Sequence, residues 1–169
     1  MNTLRNHLHT LIFFLLVFGL AMNAYASPQG GDGGGGGGRC RDSLTITPSA
    51  NLKFGAFSTT NTGQVIVDTS GNRSASGGIF LMGGTVSAAL FDIKGCDDES
   101  FSIILPDAAT LSSATASMAL NNFVSLPGGA GVTNSDGNAL LKVGATLHVG
   151  SPQPPGDYSG SFVIEVLYQ

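Results

Sequence analysis

Residues 140–149 read LLKVGATLHV and residues 158–169 read YSGSFVIEVLYQ, and both stretches place an apolar residue at every second position. The apolar sets are Leu141, Val143, Ala145, Leu147 and Val149 in the first stretch and Phe162, Ile164, Val166 and Tyr168 in the second. Successive side chains of a strand point to opposite faces, so this period of two predicts two strands with one face on a core. The other face of the first strand carries Lys142, Thr146 and His148.

Shorter strand-like runs, without such clean alternation, fill the chain from residue 43 onward, and turn-forming residues separate them. The runs span residues 43–47, 52–57, 64–68, 78–82, 87–94 and 101–105, with a weaker run over residues 110–126. Pro48 is expected to end the first run, and Asp136-Gly137 is expected to form a hairpin turn ahead of residues 140–149. Eight or nine short strands in about 130 residues predict an all-β fold, a single antiparallel immunoglobulin-like or pilin-like β-sandwich over residues 40–169.

Composition supports strands and excludes other classes of protein. The chain has 169 residues, of which 11% are charged, against about a quarter in ordinary soluble domains. Its 25 glycines and its scarcity of lysine and glutamate exclude a helical bundle, because those charged residues are common surface helix formers. The net charge of -4 and the lack of a basic cluster argue against nucleic acid as a partner.

The first 26 residues have the pattern of a secretory signal peptide. Arg5 precedes an apolar run over residues 11–22, and the small residues Ala24 and Ala26 place cleavage after Ala26. An uncleaved membrane anchor is the alternative, but twelve residues of helix span only about 18 Å of a hydrocarbon core about 30 Å thick. The mature chain, residues 27–169, has no predicted transmembrane segment and is expected in the periplasm, at the cell surface or outside the cell.

A glycine-rich segment and two cysteines follow the predicted cleavage point. Residues 27–39 are predicted to be a flexible spacer, since residues 28–38 read PQGGDGGGGGG and offer nothing to a core. Cys40 and Cys96 both lie in the part of the chain that is expected to reach an oxidising compartment. A Cys40–Cys96 disulfide is therefore expected to stabilise the fold by about 4 kcal/mol on the loop-entropy model, and two buried thiols are the alternative.

The sequence predicts no catalytic, cofactor or metal site. His148 lies on the polar face of its strand with no evident orienting acid, so we expect a solvated residue rather than a catalytic base. Asp97, Asp98 and Glu99 follow Cys96 in a predicted loop, where a hydrogen-bonded turn and a weak calcium site are the alternatives. The chain is not expected to be an enzyme.

Two longer stretches carry a family resemblance. Residues 65–95 read VIVDTSGNRSASGGIFLMGGTVSAALFDIKG, and residues 143–169 read VGATLHVGSPQPPGDYSGSFVIEVLYQ. Together they resemble the bacterial exported family catalogued as domain of unknown function 4402, whose pattern combines D-x-x-G-x-R, a G-G pair before an apolar strand, G-G-x-x-S-A-A-x-F and P-G-x-Y-x-G. The matching residues are Asp68, Gly71, Arg73, Gly77, Gly78, Gly83, Gly84, Ser87, Ala88, Ala89, Phe91, Pro155, Gly156, Tyr158, Gly160 and Tyr168. The resemblance covers nearly everything after the spacer and implies an exported domain with no established activity.

The last strand, with its alternation and its penultimate tyrosine, is also similar to the last strand of chaperone–usher pilins, and the family's architecture resembles spore-coat-like secreted domains. The pilin resemblance implies a sandwich that lacks one strand, whose groove is filled first by a periplasmic chaperone and later by a strand of a neighbouring subunit. The candidate edge for strand addition consists of Phe162, Ile164, Val166 and Tyr168.

The leading hypothesis is accordingly a non-enzymatic exported surface or fimbria-associated structural or adhesion protein. Its partners would be a periplasmic chaperone and usher or other pilus subunits. A self-contained secreted or periplasmic binding module of unknown ligand and a small outer-membrane β-barrel are the alternatives. Residues 27–43 depart from pilins, because they lack the alternating apolar residues of a donor strand. If Cys40 bonds Cys96, the chain would accept a strand without donating one, as a subunit at a fibre end does, and a complete sandwich that never polymerises is the equal alternative.

Overall fold

The structure is a computed structural model, and it describes residues 44–169 together with the backbone of Leu15–Val17 and Ala21–Ala26. These described residues form strands and no helix, so none of them belongs to a helix that could span a membrane. The all-β prediction is confirmed, whereas the predicted spacer at residues 27–39 and Cys40 lie outside the described residues. The strands are β1 Leu15–Val17, β2 Ala21–Ala26, β3 Thr45–Ala50, β4 Lys53–Phe54, β5 Ala56–Val67, β6 Arg73–Leu81, β7 Val86–Ser87, β8 Ala89–Lys94, β9 Ser100–Ile104, β10 Ala108–Ser112, β11 Ser117–Leu126, β12 Ala130–Val132, β13 Asn138–Val149, β14 Gly156–Tyr158 and β15 Ser161–Tyr168.

Most strands belong to two sheets that pack against each other as a sandwich. The larger sheet has nine strands in the order β10-β11-β13-β5-β1-β14, with β6 beside β5, β8 beside β13 and β3 beside β8. The smaller sheet has the order β12-β9-β15-β2, and β4 and β7 form a separate two-stranded ladder. Within the described part of the chain the ladders are antiparallel, apart from β1–β14 and β2–β15, which are parallel.

The core lies between the two sheets, and the alternation of β13 and β15 predicts its faces correctly. The five alternate apolar residues of β13 are at most 3% exposed, and Phe162, Ile164 and Val166 of β15 are at most 4% exposed. Phe162 also joins the sheets, because its ring lies edge-on to that of Phe91 in β8, with ring centroids 6.4 Å apart. The ring centroid of Phe123 in β11 lies 5.0 Å from that of Phe162.

Strand β13 is the centre of the larger sheet. One of its sides pairs with β11, while the other pairs with β8 as far as Val143 and with β5 from Ala145 onward. Gly144 stands where the neighbour changes, and a Cβ there would lie 2.3 Å from the carbonyl oxygen of Val67. Glycine therefore lets the end of β5 approach β13. Thr146, predicted on the polar face, is only 6% exposed, because β11 and β5 flank it on both sides.

One predicted strand end is wrong. Strand β3 runs through Pro48 to Ala50, although Pro48 is predicted to end it. The strand lies at an edge of the larger sheet, where it pairs with β8, and its register shifts between Pro48 and Ala50. Proline is tolerated at such edges and irregularities, because its missing N–H can face away from the ladder.

The hairpin predicted at Asp136-Gly137 is a turn between two sheets. The N–H of Gly137 donates to the carbonyl oxygen of Asn134 at 2.9 Å, so the chain does reverse there. However, the preceding strand β12 pairs with β9 and the following strand β13 pairs with β8, β5 and β11. Residues 44–169 also hold thirteen strands rather than eight or nine, partly because residues 110–126 divide between β10 and β11.

We expect Gly144→Ala to lower the free energy of unfolding by about 1–3 kcal/mol, because the added Cβ would overlap the Val67 carbonyl at the centre of the sheet. Denaturant or thermal unfolding of the 169-residue chain measures the change. Gly83→Ala is the matched control, since no atom lies within 4 Å of a Cβ built there. Equal stability of the two variants would contradict the packing assigned to β13.

Candidate functional site

The candidate site is the strand-addition edge of β15, and the hydrogen-bond ladders show what lies along it. Strand β9 pairs with residues 165–168 of β15. Strand β2 pairs with residues 161–166. Among the described residues, the first half of β15, residues 161–164, therefore has a ladder partner in β2 alone.

Strand β2 comes from the predicted signal peptide and runs parallel to β15. The register places Met22 opposite Phe162, Ala24 opposite Ile164 and Ala26 opposite Val166. All three of these β15 residues are buried in the core. The predicted edge is thus occupied by the chain's own amino-terminal segment, which pairs with residues 161–166 on the side of β15 opposite β9.

Strand β14 pairs with β1 as β15 pairs with β2. It pairs in parallel with Leu15–Val17, and β1 also pairs antiparallel with the start of β5. Tyr158 at the end of β14 is fully buried. Its hydroxyl donates to the carbonyl oxygen of Pro154 at 2.7 Å and accepts from the side-chain amide of Gln153 at 2.8 Å. These bonds fix the turn that leads into β14 and β15.

Tyr168 lies at the other end of β15, beyond the last residue paired with β2. Its hydroxyl accepts a hydrogen bond from the backbone N–H of Cys96 at 2.7 Å. A Cβ on Gly95 would lie 2.3 Å from that hydroxyl, so the tyrosine fits closely against the loop between β8 and β9. Of the four candidate edge residues, Tyr168 therefore anchors the end of the strand, while the other three line the core beside β2.

The expected disulfide partner falls outside the described residues. Cys96 is 2% exposed and lies in the loop that Tyr168 contacts. Cys40 is not among the described residues, so the Cys40–Cys96 disulfide stays a prediction.

The acidic loop that follows Cys96 is held by backbone hydrogen bonds. The N–H of Asp98 donates to the carbonyl oxygen of Asn134 at 3.1 Å, and the N–H of Glu99 donates to the hydroxyl of Thr133 at 3.0 Å. Within the described residues, no group of three or more His, Cys, Asp or Glu side chains could hold a metal ion. These hydrogen bonds connect the loop of Asp97, Asp98 and Glu99 to Thr133 and Asn134 ahead of β13.

His148 is half-buried on the outer face of β13. Its Nε2 lies 2.6 Å from Oδ1 of Asn121 on the neighbouring strand β11. The imidazole also lines a surface pocket of about 360 Å³ together with Thr62, Gln64 and Ser76. The predicted position on the outer face is therefore confirmed, with an amide rather than an acid as the hydrogen-bond partner.

Asp68 builds the turn between β5 and β6. Its Oδ1 accepts the N–H groups of Ser70 and Asn72 at 2.9 and 2.8 Å, and its Oδ2 accepts from the side-chain amide of Asn72 at 3.0 Å. These bonds, the Asn72 side chain foremost, hold the pKa of Asp68 below its usual range. Because the folded pKa is lowered, their contribution to stability is present above the ordinary carboxyl pKa and is lost as the pH falls through the lowered value.

Arg73 has a structural role that the sequence pattern did not reveal. Its partly buried guanidinium donates to the carbonyl oxygens of Phe54 at 2.7 Å and Ala56 at 3.0 Å, and also to that of Met82. Burial lowers the pKa of the Arg73 side chain. Gly55 has a φ of +68°, and a Cβ there would lie 2.5 Å from the guanidinium. The D-x-x-G-x-R motif with its flanking glycines is the sequence signal that marks this position. The Arg73 side chain stabilises the fold by binding backbone carbonyl oxygens.

We expect Arg73→Lys to destabilise the fold by about 1–3 kcal/mol, because the single nitrogen of an ammonium cannot occupy both positions from which Nη1 and Nη2 of the guanidinium donate to these carbonyl oxygens. Thermal unfolding of the 169-residue chain measures the loss. The reverse exchange Lys94→Arg, at an exposed position, is the control and should leave the melting temperature unchanged. An Arg73→Lys variant that melts with the parent would contradict the role given to the guanidinium.

Comparison with protein families matches residues 44–168 to the family described as Domain of unknown function (DUF4402). The match extends from the residue before β3 to the last residue of β15, and it leaves β1 and β2 outside. No curated protein and no solved structure is detectably similar to the chain. The family match covers well over half of the sequence and confirms the resemblance carried by Asp68, Arg73 and the glycine pairs. The chain belongs to the DUF4402 family.

Proposed function

We propose that this chain is an exported, non-enzymatic structural protein of the bacterial surface or its fimbriae, and that a strand from another protein completes β15. The observation that carries the proposal is the ladder of residues 161–164, whose partner β2 lies ahead of the predicted cleavage point. Processing after Ala26 would remove β2 and leave this half of β15 unpaired.

The half of β15 that processing would leave unpaired, residues 161–164, contributes to the core. Phe162 and Ile164 are 4% and 0% exposed, and both belong to the segment that β9 does not reach. A strand edge with free N–H and C=O groups beside apolar residues is a template for pairing with other chains. An added strand satisfies those backbone groups and covers the apolar residues, which is the mode of recognition called β-strand addition.

The hydrogen bonds of three polar side chains support a structural role for the protein. The Asp68 carboxylate accepts three hydrogen bonds within its own turn, and the Arg73 guanidinium donates to three backbone carbonyls. His148 is hydrogen-bonded to an amide oxygen. Each of these groups has a partner that serves the fold, which favours a surface that assembles over a site that catalyses.

The amino-terminal sequence supports export and the proposed direction of assembly. Residues 1–26 have the signal-peptide pattern, so the partners available to the mature chain would be a periplasmic chaperone, an usher or other pilus subunits. Residues 27–43 are rich in glycine and lack alternating apolar positions. The chain would therefore accept a strand without supplying one, which suits the terminal subunit of a fibre.

Export of residues 27–169 alone to a bacterial periplasm tests the proposal. Size-exclusion chromatography with light scattering should show aggregates, ladders or degradation, because residues 161–164 lack a ladder partner. Co-expression of a chaperone of the chaperone–usher class should convert this material into a defined complex. A soluble monomer with one sharp, reversible thermal transition would contradict the proposal and would favour a self-contained binding module.

A pair of lysine variants distinguishes the β15 edge from the rest of the surface. Val163→Lys places a charge on the open half of β15 and should reduce the ladders, because charges block edge-to-edge pairing. Leu140→Lys, on the outer face of β13, should leave them unchanged. The two side chains have similar exposure in the parent, 40% for Val163 and 46% for Leu140. Equal behaviour of the two variants would place the association elsewhere.

A further inference from the structure

The two described strands of the predicted signal peptide pair with the two carboxy-terminal strands in the same order along the chain. Val17 is the last register partner in β1 and lies opposite Tyr158, while Ala21 is the first in β2 and lies opposite Ser161. Both ladders are parallel, so Leu15–Val17 and Ala21–Ala26 run in the same direction as β14 and β15. Strands β1 and β2 thus lie along β14 in the larger sheet and β15 in the smaller sheet.

From this arrangement we infer that the edge of β14 and β15 is an acceptor for a strand that runs parallel to β15, and that Leu15–Val17 and Ala21–Ala26 of the predicted signal peptide occupy this acceptor in the unprocessed chain. The inference rests on the proposed function and specifies the direction, the register and the composition of the occupant. The partner of this acceptor edge is an extended peptide segment with apolar or small residues at alternate positions.

The register gives the composition of the occupant. The buried residues Phe162, Ile164 and Val166 have Met22, Ala24 and Ala26 as their register partners. The exposed residues Val163 and Glu165 have Asn23 and Tyr25 as theirs. Apolar or small residues therefore alternate with polar or amphipathic ones along the segment that pairs with β15.

The end of the ladder coincides with the predicted processing point. The last register pair joins Val166 to Ala26, and cleavage is predicted after Ala26. A cut there removes β1 and β2 entirely. The same cut leaves β9 paired with residues 165–168, and the hydroxyl of Tyr168 bonded to Cys96. Processing would therefore open the acceptor while the end of β15 stays attached.

Cysteine cross-linking in the unprocessed 169-residue chain tests whether the signal peptide lies on β15. Asn23→Cys combined with Val163→Cys should form a disulfide, because register partners on adjacent strands lie about 4.8 Å apart, near the Cα spacing of a disulfide. Asn23→Cys with Leu167→Cys is the control and should not cross-link, since Leu167 lies four residues and about 13 Å further along. Equal cross-linking of both pairs, or cross-linking of neither, would overturn the parallel register.

Peptide binding to the processed chain tests the acceptor itself. A peptide of residues 15–26, preceded by lysines for solubility, should bind residues 27–169 during refolding and raise the melting temperature. Ala24→Lys in the peptide should weaken binding at least about tenfold, because Ala24 is opposite the buried Ile164, whereas Asn23→Lys should change it less than about threefold. A peptide of the same composition in reversed order should not bind.

The outcomes separate this inference from the proposed function. If an unrelated peptide of alternating apolar residues rescues the processed chain and the peptide of residues 15–26 does not, strand addition stands and the signal peptide is not its occupant. If the reversed peptide binds as well as the peptide of residues 15–26, the parallel direction is wrong. If residues 27–169 form a stable monomer that no peptide alters, both proposals fail.

Discussion

The ladder along residues 161–164 of β15 is the constraint on which the architecture depends. Backbone N–H and C=O groups that are removed from water must be paired, and in this segment the described residues supply that pairing through β2. The same segment carries Phe162, whose ring contacts Phe91 and Phe123 of the larger sheet. Pairing at an edge of the smaller sheet is therefore coupled to the contact between the two sheets.

The two halves of β15 have different supports. The second half pairs with β9, and the hydroxyl of Tyr168 accepts the N–H of Cys96 beyond it. The bonds of Tyr158 to Gln153 and Pro154 fix the turn before β14. The carboxy-terminal segment is thus held at both ends, and the stretch between them depends on an additional strand. This division makes an exchangeable partner compatible with a stable domain.

The faces of β13 and β15 could be predicted because a period of two is a local property of the sequence. The identity of each strand's partner could not, since it depends on contacts between distant segments. Asp136-Gly137 has the chemistry of a hairpin turn, yet it joins strands of different sheets. Arg73 is similar, because its carbonyl acceptors come from two segments, residues 54–56 and Met82, that neither its motif nor its position in the sequence indicates. The pattern in residues 21–26 indicates processing, and only the register reveals their pairing with β15.

Hydrogen exchange at the backbone amides of β15 tests the central claim most directly, because exchange reports the pairing of individual residues. The measurement compares the unprocessed chain with residues 27–169. Amides of residues 161–164 that bond to β2 should be protected in the first and exchange rapidly in the second, whereas those of residues 165–168 that bond to β9 should be protected in both. Equal protection of residues 161–164 in the two forms would contradict the dependence of β15 on an added strand.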